Sequence, residues 1–412
     1  MVNVLGERAA ETQISDTING RTTLLLAAAV GVVVTNLFAP QTLIGLIGPS
    51  LGLAGAEVGL VAMITLLGYA AGLFLLVPLA DLRENRALIV RMLGSAAVAA
   101  GIAAIAPSAT MLLATLFVLG AACSAIQVLV PIAAAMARPE RRGRVIGDVM
   151  GGLMLGILLS RPLASLIASA WGWRAFYGVS AAVMAVLTVV LAVWLPRRPV
   201  SSPMTYPGLI ASLWRLLRCE PQLRIRALTA SLAMAAFSVF WTSVALRLAQ
   251  PPFELTQRGI ALFELVGAGG AVVAPLFGRA GDRGWTPRAT MLCHLAMIAS
   301  FGLCAWAGTA VDGASTLPLI VMGAGAVLLD IGVTGDQTLG RRIVNLLNPE
   351  ARGRLNGLFV GLFFLGGAVG SALAGIAWVW GGWSTISAVG ILIGLLALAV
   401  DWLAPTSPRS WS

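Results

Sequence analysis

The sequence predicts an all-α polytopic membrane protein, with twelve transmembrane helices arranged as two pseudo-symmetric six-helix bundles. Three observations predict it. The chain has 412 residues, of which 58% are hydrophobic and 11% charged, and a mean hydropathy of +0.92. No ordinary soluble domain has this composition. Roughly twelve apolar stretches are each about long enough to cross a ~30 Å hydrocarbon core, which takes ~20 helical residues. One pattern is also written twice. Arg142-Gly143-Arg144 opens an apolar run through Gly147, Gly151 and Gly156 to Trp173, and Arg352-Gly353-Arg354 opens another through Gly357, Gly361 and Gly366 to Trp383. Asp81 and Asp282 repeat at a similar offset, each closing an apolar run. Two related membrane bundles with a binding site between them are the usual plan of secondary transporters.

The expected spans are 23–47, 56–79, 88–106, 111–136, 146–169, 175–195, 227–247, 259–277, 288–308, 316–338, 355–378 and 384–404. The runs are continuous rather than alternating, which excludes a β-barrel. Residues 1–21 are polar, lack a signal-peptide pattern and read as an N-terminal tail. The first bundle is 22–195 and the second 227–404, with 405–412 as a C-terminal tail. Between the bundles lies a linker, 196–226, marked by Pro196, Pro199, Pro203, Pro207 and Pro221. Within it Leu209, Ile210, Leu213, Trp214 and Leu217 recur near helical spacing. They suit a short helix lying on lipid headgroups, or an ordinary linker with an apolar turn. The other connections leave no room for a soluble catalytic domain, and no enzymatic function is expected.

The net charge of +10 comes from 27 arginines and no lysine. The arginines fall in alternate loops, after spans 2, 4, 6, 8 and 10, while the opposite loops hold only Arg174, Arg247 and Arg258. This is a topology signal and not a nucleic-acid surface. It puts both termini and the linker in the cytoplasm. Cys123, Cys219, Cys293 and Cys304 have no metal-ligand spacing and read as free thiols. His294, the single histidine, reads as a packed or interfacial residue. No metal or cofactor is expected. The sequence holds no ATP-binding loop, which argues against primary transport.

Several motifs resemble those of the major facilitator superfamily. Gly68 through Asp81 to Arg86 is similar to its loop 2–3 signature, and Gly278-Arg279-Ala280-Gly281-Asp282-Arg283-Gly284 to the second copy. Asn36 to Gln41, Phe237 to Trp241, Leu328 to Val333, Gly366-Gly367 and Gly370-Ser371 resemble its bacterial twelve-helix drug and sugar efflux, or proton antiporter, branch. The chain departs from the signature at Val77, Leu82, Glu84 and Asn85, with Arg83 and Arg86 as substitutes for the displaced basic charge. A carboxylate at a bundle mouth can sit on a helix N-terminus, where free N–H groups and the macrodipole favour it. The resemblance implies Asp81 against the start of span 11, near Gly353–Gly357, and by pseudo-symmetry Asp282 against the start of span 5, near Gly143–Gly147. With Arg83, Arg86 and Arg283 these would form a conformational latch, closed only when the cytoplasmic side is closed. A simple helix-end charge is the alternative reading of both aspartates.

Glycines four residues apart in spans 5 and 11 allow close helix packing and are expected along the seam where the halves rock. Charges inside spans are costly and usually functional. Arg161 lies about 25 Å beyond Arg144 at ~1.5 Å per residue, and Glu264 is six residues into span 8. The family architecture sets spans 5 and 8 side by side, so the two residues are expected to be able to meet. A proton on Glu264 would then release the pair. A permanent structural ion pair and an interfacial Glu264 are the alternatives. Asp330 in span 10 is a competing proton site, and Asp336 is expected to be solvated near the mouth. The resemblance implies a cavity lined by spans 1, 4, 7 and 10, which gives Asn36, Gln41, Gln127, Phe237, Trp241 and Thr242 as candidate substrate contacts. Mostly apolar walls with a few polar fixtures suit an amphipathic small molecule. The resemblance implies proton-coupled efflux, with a proton gradient as energy source, by a multi-pass monomer of a bacterial plasma (inner) membrane whose partners are lipid and a small-molecule substrate. Proton-driven import of a sugar or organic acid, or a transport-dead sensor of the same fold, remains open.

Overall fold

A computed structural model of the chain describes residues 20–197, 205–267, 273–309, 316–348 and 351–403. The tails at 1–19 and 404–412 and part of the expected linker, 198–204, lie outside the described residues. Everything regular among the described residues is helical. The first half comprises α1 (Gly20–Leu51), α2 (Val58–Leu75), α3 (Asn85–Ala104), α4 (Ala109–Cys123), α5 (Ile126–Met136), α6 (Arg142–Trp171) and α7 (Trp173–Trp194). After α8 (Tyr206–Cys219) come α9 (Pro221–Leu248), α10 (Gln257–Gly267), α11 (Ala274–Asp282), α12 (Thr286–Thr309), α13 (Thr316–Leu347) and α14 (Arg352–Leu403).

The twelve expected spans map onto these helices with local reasons for each break. Ten helical stretches among the described residues are long and apolar enough to cross a membrane. The longest, α14, is two spans: the backbone leaves helical geometry at Gly381 and Gly382, where Gly382 adopts φ +59°. Glycine takes that conformation without a Cβ clash. Span 8 is described as α10 and α11, on either side of residues 268–272, which lie outside the described residues. Span 4 is α4 and α5, joined at Ser124–Ala125, where backbone bonds tighten from i−4 to i−3 and Ser124 Oγ donates to the Ala121 carbonyl. Glu84 stands in place of the signature's glycine and caps α3, accepting from the amides of Arg86 and Ala87 at 2.8 and 3.0 Å.

Small residues set the packing. A Cβ on Gly152 or Gly156 of α6 would strike the backbone of Ala27 or Gly31 in α1, and one on Gly366 or Gly370 of α14 would strike Ser231 or Ala235 in α9. These four glycines therefore clamp the equivalent pair of helices within each bundle, in keeping with close backbone approach in lipid. For these four this corrects the expectation that they line the seam between halves; Gly361 does meet the Phe74 ring of α2 across the seam, and Gly147, Gly151 and Gly357 face open space. Across the seam, α2 packs on α14, α6 on α10, and α1 on α9. The three arginines of the arginine-poor loops divide by partner. Arg174 donates to the Ala106 carbonyl and Arg247 to those of Gly308 and Pro251, while Arg258 has no such bond among the described residues.

Candidate functional site between the bundles

At the arginine-poor end the seam is shut. Gly59 of α2 lies against the backbone of Ser371 and Gly375 in α14, too close for any side chain, and Gly375 meets the Ala56 carbonyl. Deeper in, an aromatic group joins the halves. Phe38 of α1 packs edge-on to Phe237 of α9 at 6.0 Å and near Phe364 of α14 at 6.2 Å, while Tyr69 of α2 meets Phe364 at 4.5 Å.

Beside this group lies a buried polar cluster drawn from five helices. Arg161 of α6 is 2% exposed, Glu264 of α10 1% and Asp330 of α13 8%. The Arg161 guanidinium lies over the Trp241 ring at 3.6 Å, with the Phe237 ring at 5.2 Å. Trp241 in turn donates Nε1–H to Asp330 Oδ1 at 3.0 Å. Ser165, one turn beyond Arg161, donates to Glu264 Oε2 at 3.3 Å and lies 2.9 Å from Thr42 Oγ1 of α1. Arg161 thus faces two flanking carboxylates. Neither is within ion-pair distance, and its Nε and Nη1 have no hydrogen-bond partner among the described residues. The expected Arg161–Glu264 pair is not closed in this conformation, because the guanidinium stacks on Trp241 while Ser165 occupies Glu264. Gln41, next to Thr42, is fully buried, and neither of its amide atoms has a hydrogen-bond partner among the described residues.

At the arginine-rich end the bundles part around a cavity of about 500 Å³. Asp81, Asn85, Gln127, Arg341, Arg354 and Asn356 supply its polar lining, and Leu73, Val77, Pro131 and Ile132 part of its apolar wall. Helix α8 closes one side. Its Leu209 and Leu213 are buried against the cavity, and Tyr206 donates its hydroxyl to the Leu75 carbonyl at 2.9 Å. The linker helix therefore packs its apolar face into the protein rather than on headgroups, because the parted bundles expose an apolar surface there.

Of the expected substrate contacts, Gln127 lines this cavity, where its Nε2 lies 3.4 Å from the Tyr69 hydroxyl. Asn36 does not. It accepts a 2.6 Å bond from Ser180 Oγ of α7, inside its own bundle. Thr242 faces Ser371 of α14 at 3.3 Å, also within one bundle. Phe237 and Trp241 belong to the aromatic and polar cluster.

The latch residues are open. Asp81 is exposed and shares the cavity with Gly353, Arg354 and Gly357 without a hydrogen bond to them. Arg83 is exposed, and Arg86 donates to the Leu195 carbonyl at 3.4 Å. Asp282 does not face α6; Arg342 of α13 takes it at 3.1 Å, and Arg283 lies 5.6 Å from the Trp285 ring. Gly143, Gly147, Gly353 and Gly357 face open space. Asp336 is not solvated. It is 1% exposed and lies 3.1 Å from His294 Nε2, because α12 packs over it. Two further groups went unflagged by the sequence: the Arg226–Asp401 ion pair at 2.8 Å, and Arg341 in the cavity wall.

Comparison with known proteins agrees with this architecture. The model of the Major Facilitator Superfamily matches residues 24–335. YgaY of Escherichia coli K12, an uncharacterised transporter, is 36% identical over 379 residues, covering 92% of this chain and 94% of its own. SCO4007 of Streptomyces coelicolor, named a probable transporter, is 33% identical over 382 residues, covering 91% and 86%. Among solved structures, a mutant of the nucleoside transporter NupG superposes with a TM-score of 0.73 at 14% identity, covering 93% of this chain and 98% of its own. The human organic anion transporter MFSD10 gives 0.65 at 16%, covering 92% and 98%. At those identities the two structures speak to fold alone.

Proposed function

Because the chain belongs to the major facilitator superfamily, and is a membrane transporter of that type rather than an enzyme, we propose that it is a proton-coupled exporter of a small organic molecule working by alternating access. The observation that carries this reading is the cluster at the seam: two buried carboxylates of the second bundle, Glu264 and Asp330, flank a buried arginine of the first that pairs with neither. A charge balance spread over both halves is altered by one proton, and the relative position of the halves alters it in return. The arginine-rich face is taken as cytoplasmic, since arginine favours that side. The cavity on that face would load substrate from the cytoplasm, as an exporter requires.

The test is flux in liposomes holding a pH-sensitive dye, screened first against a panel of metabolites and drugs. A transported compound should move protons the opposite way. Glu264→Gln and Asp330→Asn should abolish gradient-driven accumulation while leaving exchange of labelled for unlabelled compound. Accumulation that survives in both variants would refute the coupling, and proton movement in the same direction as the compound would make the protein an importer.

A further inference from the structure

We propose that the cavity at the arginine-rich end is a binding site for an amphipathic organic anion, whose acidic group is held by Arg341. The assignment rests on the transporter reading above and names the class of its cargo.

Arg341 is the cavity's unmatched charge. Its Nε donates to Asn356 Oδ1 of α14 at 2.6 Å, which fixes the guanidinium plane between α13 and α14. Nη1 and Nη2 carry no hydrogen bond to the described residues and stay accessible at the cavity wall. No carboxylate among the described residues is within ion-pair distance. Other inward-facing arginines have a carboxylate or carbonyl groups nearby. Arg226 has Asp401, Arg247 has two carbonyls, and Arg161 has two flanking carboxylates and two rings. An inward-facing cation with a free fork of donors is costly unless an anion arrives to take it.

The remaining charges do not cancel it. Asp81 and Arg354 face each other across the mouth, leaving Arg341 in excess. The start of α14 at Gly353 also lines the cavity and adds N-terminal dipole of the same sign. Apart from the neutral side chains of Asn85, Gln127 and Asn356, the wall is mostly apolar, including Leu73, Val128, Pro131 and the α8 residues Leu209 and Leu213. Its volume of about 500 Å³ suits one drug-sized molecule. A planar carboxylate can take two parallel bonds from Nη1 and Nη2, while its apolar body fills the cavity.

Equilibrium titration of the purified full chain in nanodiscs of zwitterionic lipid tests this with three probes of one shape: 4-butylbenzoate, 4-butylbenzamide and 4-butylbenzylammonium. The benzoate should bind at least about tenfold more tightly than either other probe, a preference of ~1.4 kcal/mol. Arg341→Gln should remove that preference, and Arg341→Lys should restore part of it. Equal affinity for the three probes, or no benzoate binding, overturns the proposal in the wild-type protein alone, even if Arg341→Gln fails to fold. A benzoate preference that persists in folded Arg341→Gln also overturns it. So does loss of binding when phosphatidylglycerol is added to the nanodiscs, which would assign Arg341 to a lipid headgroup. Binding is read without flux, so failure of proton coupling would leave the anion site standing.

Discussion

Arg161 holds a charge inside a span with two of its nitrogens unpaired among the described residues, and Trp241 makes that tolerable. The indole face lies 3.6 Å from the guanidinium carbon, and the same indole donates to Asp330. A desolvated cation–π contact contributes about 2 kcal/mol. Trp241→Leu removes both functions and should lower thermal stability by roughly that amount, along with about tenfold of transport. Trp241→Phe keeps a ring, loses the donor and should fall between. A melting curve for Trp241→Leu equal to wild type would refute the stacking role. Arg161, Glu264 and Asp330 were legible in the sequence because charges stand out in apolar runs. Their arrangement was not, since Trp241 looks like any other aromatic residue in a span. Arg341 was hidden for a different reason. The apolar pattern ends near 338, but α13 continues to Leu347, so an arginine that reads as a loop residue sits on the helix wall of the cavity.

At the scale of elements, the glycines divide by what faces them. Gly156 and Gly370 touch backbone of a neighbouring helix, so Gly156→Leu or Gly370→Leu forces helices apart and should prevent stable folding. Gly147 and Gly357 face open space, so Gly147→Leu or Gly357→Leu should melt as wild type in the conformation described. If closure at the arginine-rich end brings these positions together, the same two variants should cut transport about tenfold or more; full transport would show that the seam does not close there. Sequence spacing alone cannot separate the two sets, because four-residue periodicity marks a helix face without naming its neighbour. Helix α8 is a similar case. Leu213 is buried against the cavity while Arg215 and Arg218 are exposed on the same short helix. Leu213→Asp should loosen it by about 1–3 kcal/mol, the value of burying one leucine, and speed tryptic cleavage at those arginines at least tenfold. Unchanged cleavage would mean that the helix is held by something other than its apolar face.

For the molecule as a whole, the seam is shut by backbone contact at one end and parted at the other. The fold was legible because duplication, span length and arginine placement all follow from how a chain is inserted in a bilayer. The conformation was not, because both states bury the same apolar faces in lipid and differ only at the seam. Asp81 shows how small the bias between them can be. It shares the cavity with the α14 N-terminus without bonding to it, whereas Asp282 is already spent on Arg342. Asp81→Asn should therefore leave folding intact and slow transport about tenfold, and Asp282→Asn should have the smaller effect. The state change itself can be read with spin labels. Gly143→Cys and Gly353→Cys place one label on each bundle at the parted end, and Trp171→Cys and Trp380→Cys place one on each at the shut end; all four sites are exposed. In a background with the four native cysteines replaced, a transported compound or a pH step should shorten the first distance while lengthening the second, and Asp81→Asn should reduce the population that closes at 143 and 353. Rocking requires the two distances to move in opposite directions. Distances that stay fixed under every condition, or that shorten together, would mean that the halves do not exchange access about the buried cluster of Arg161, Glu264 and Asp330.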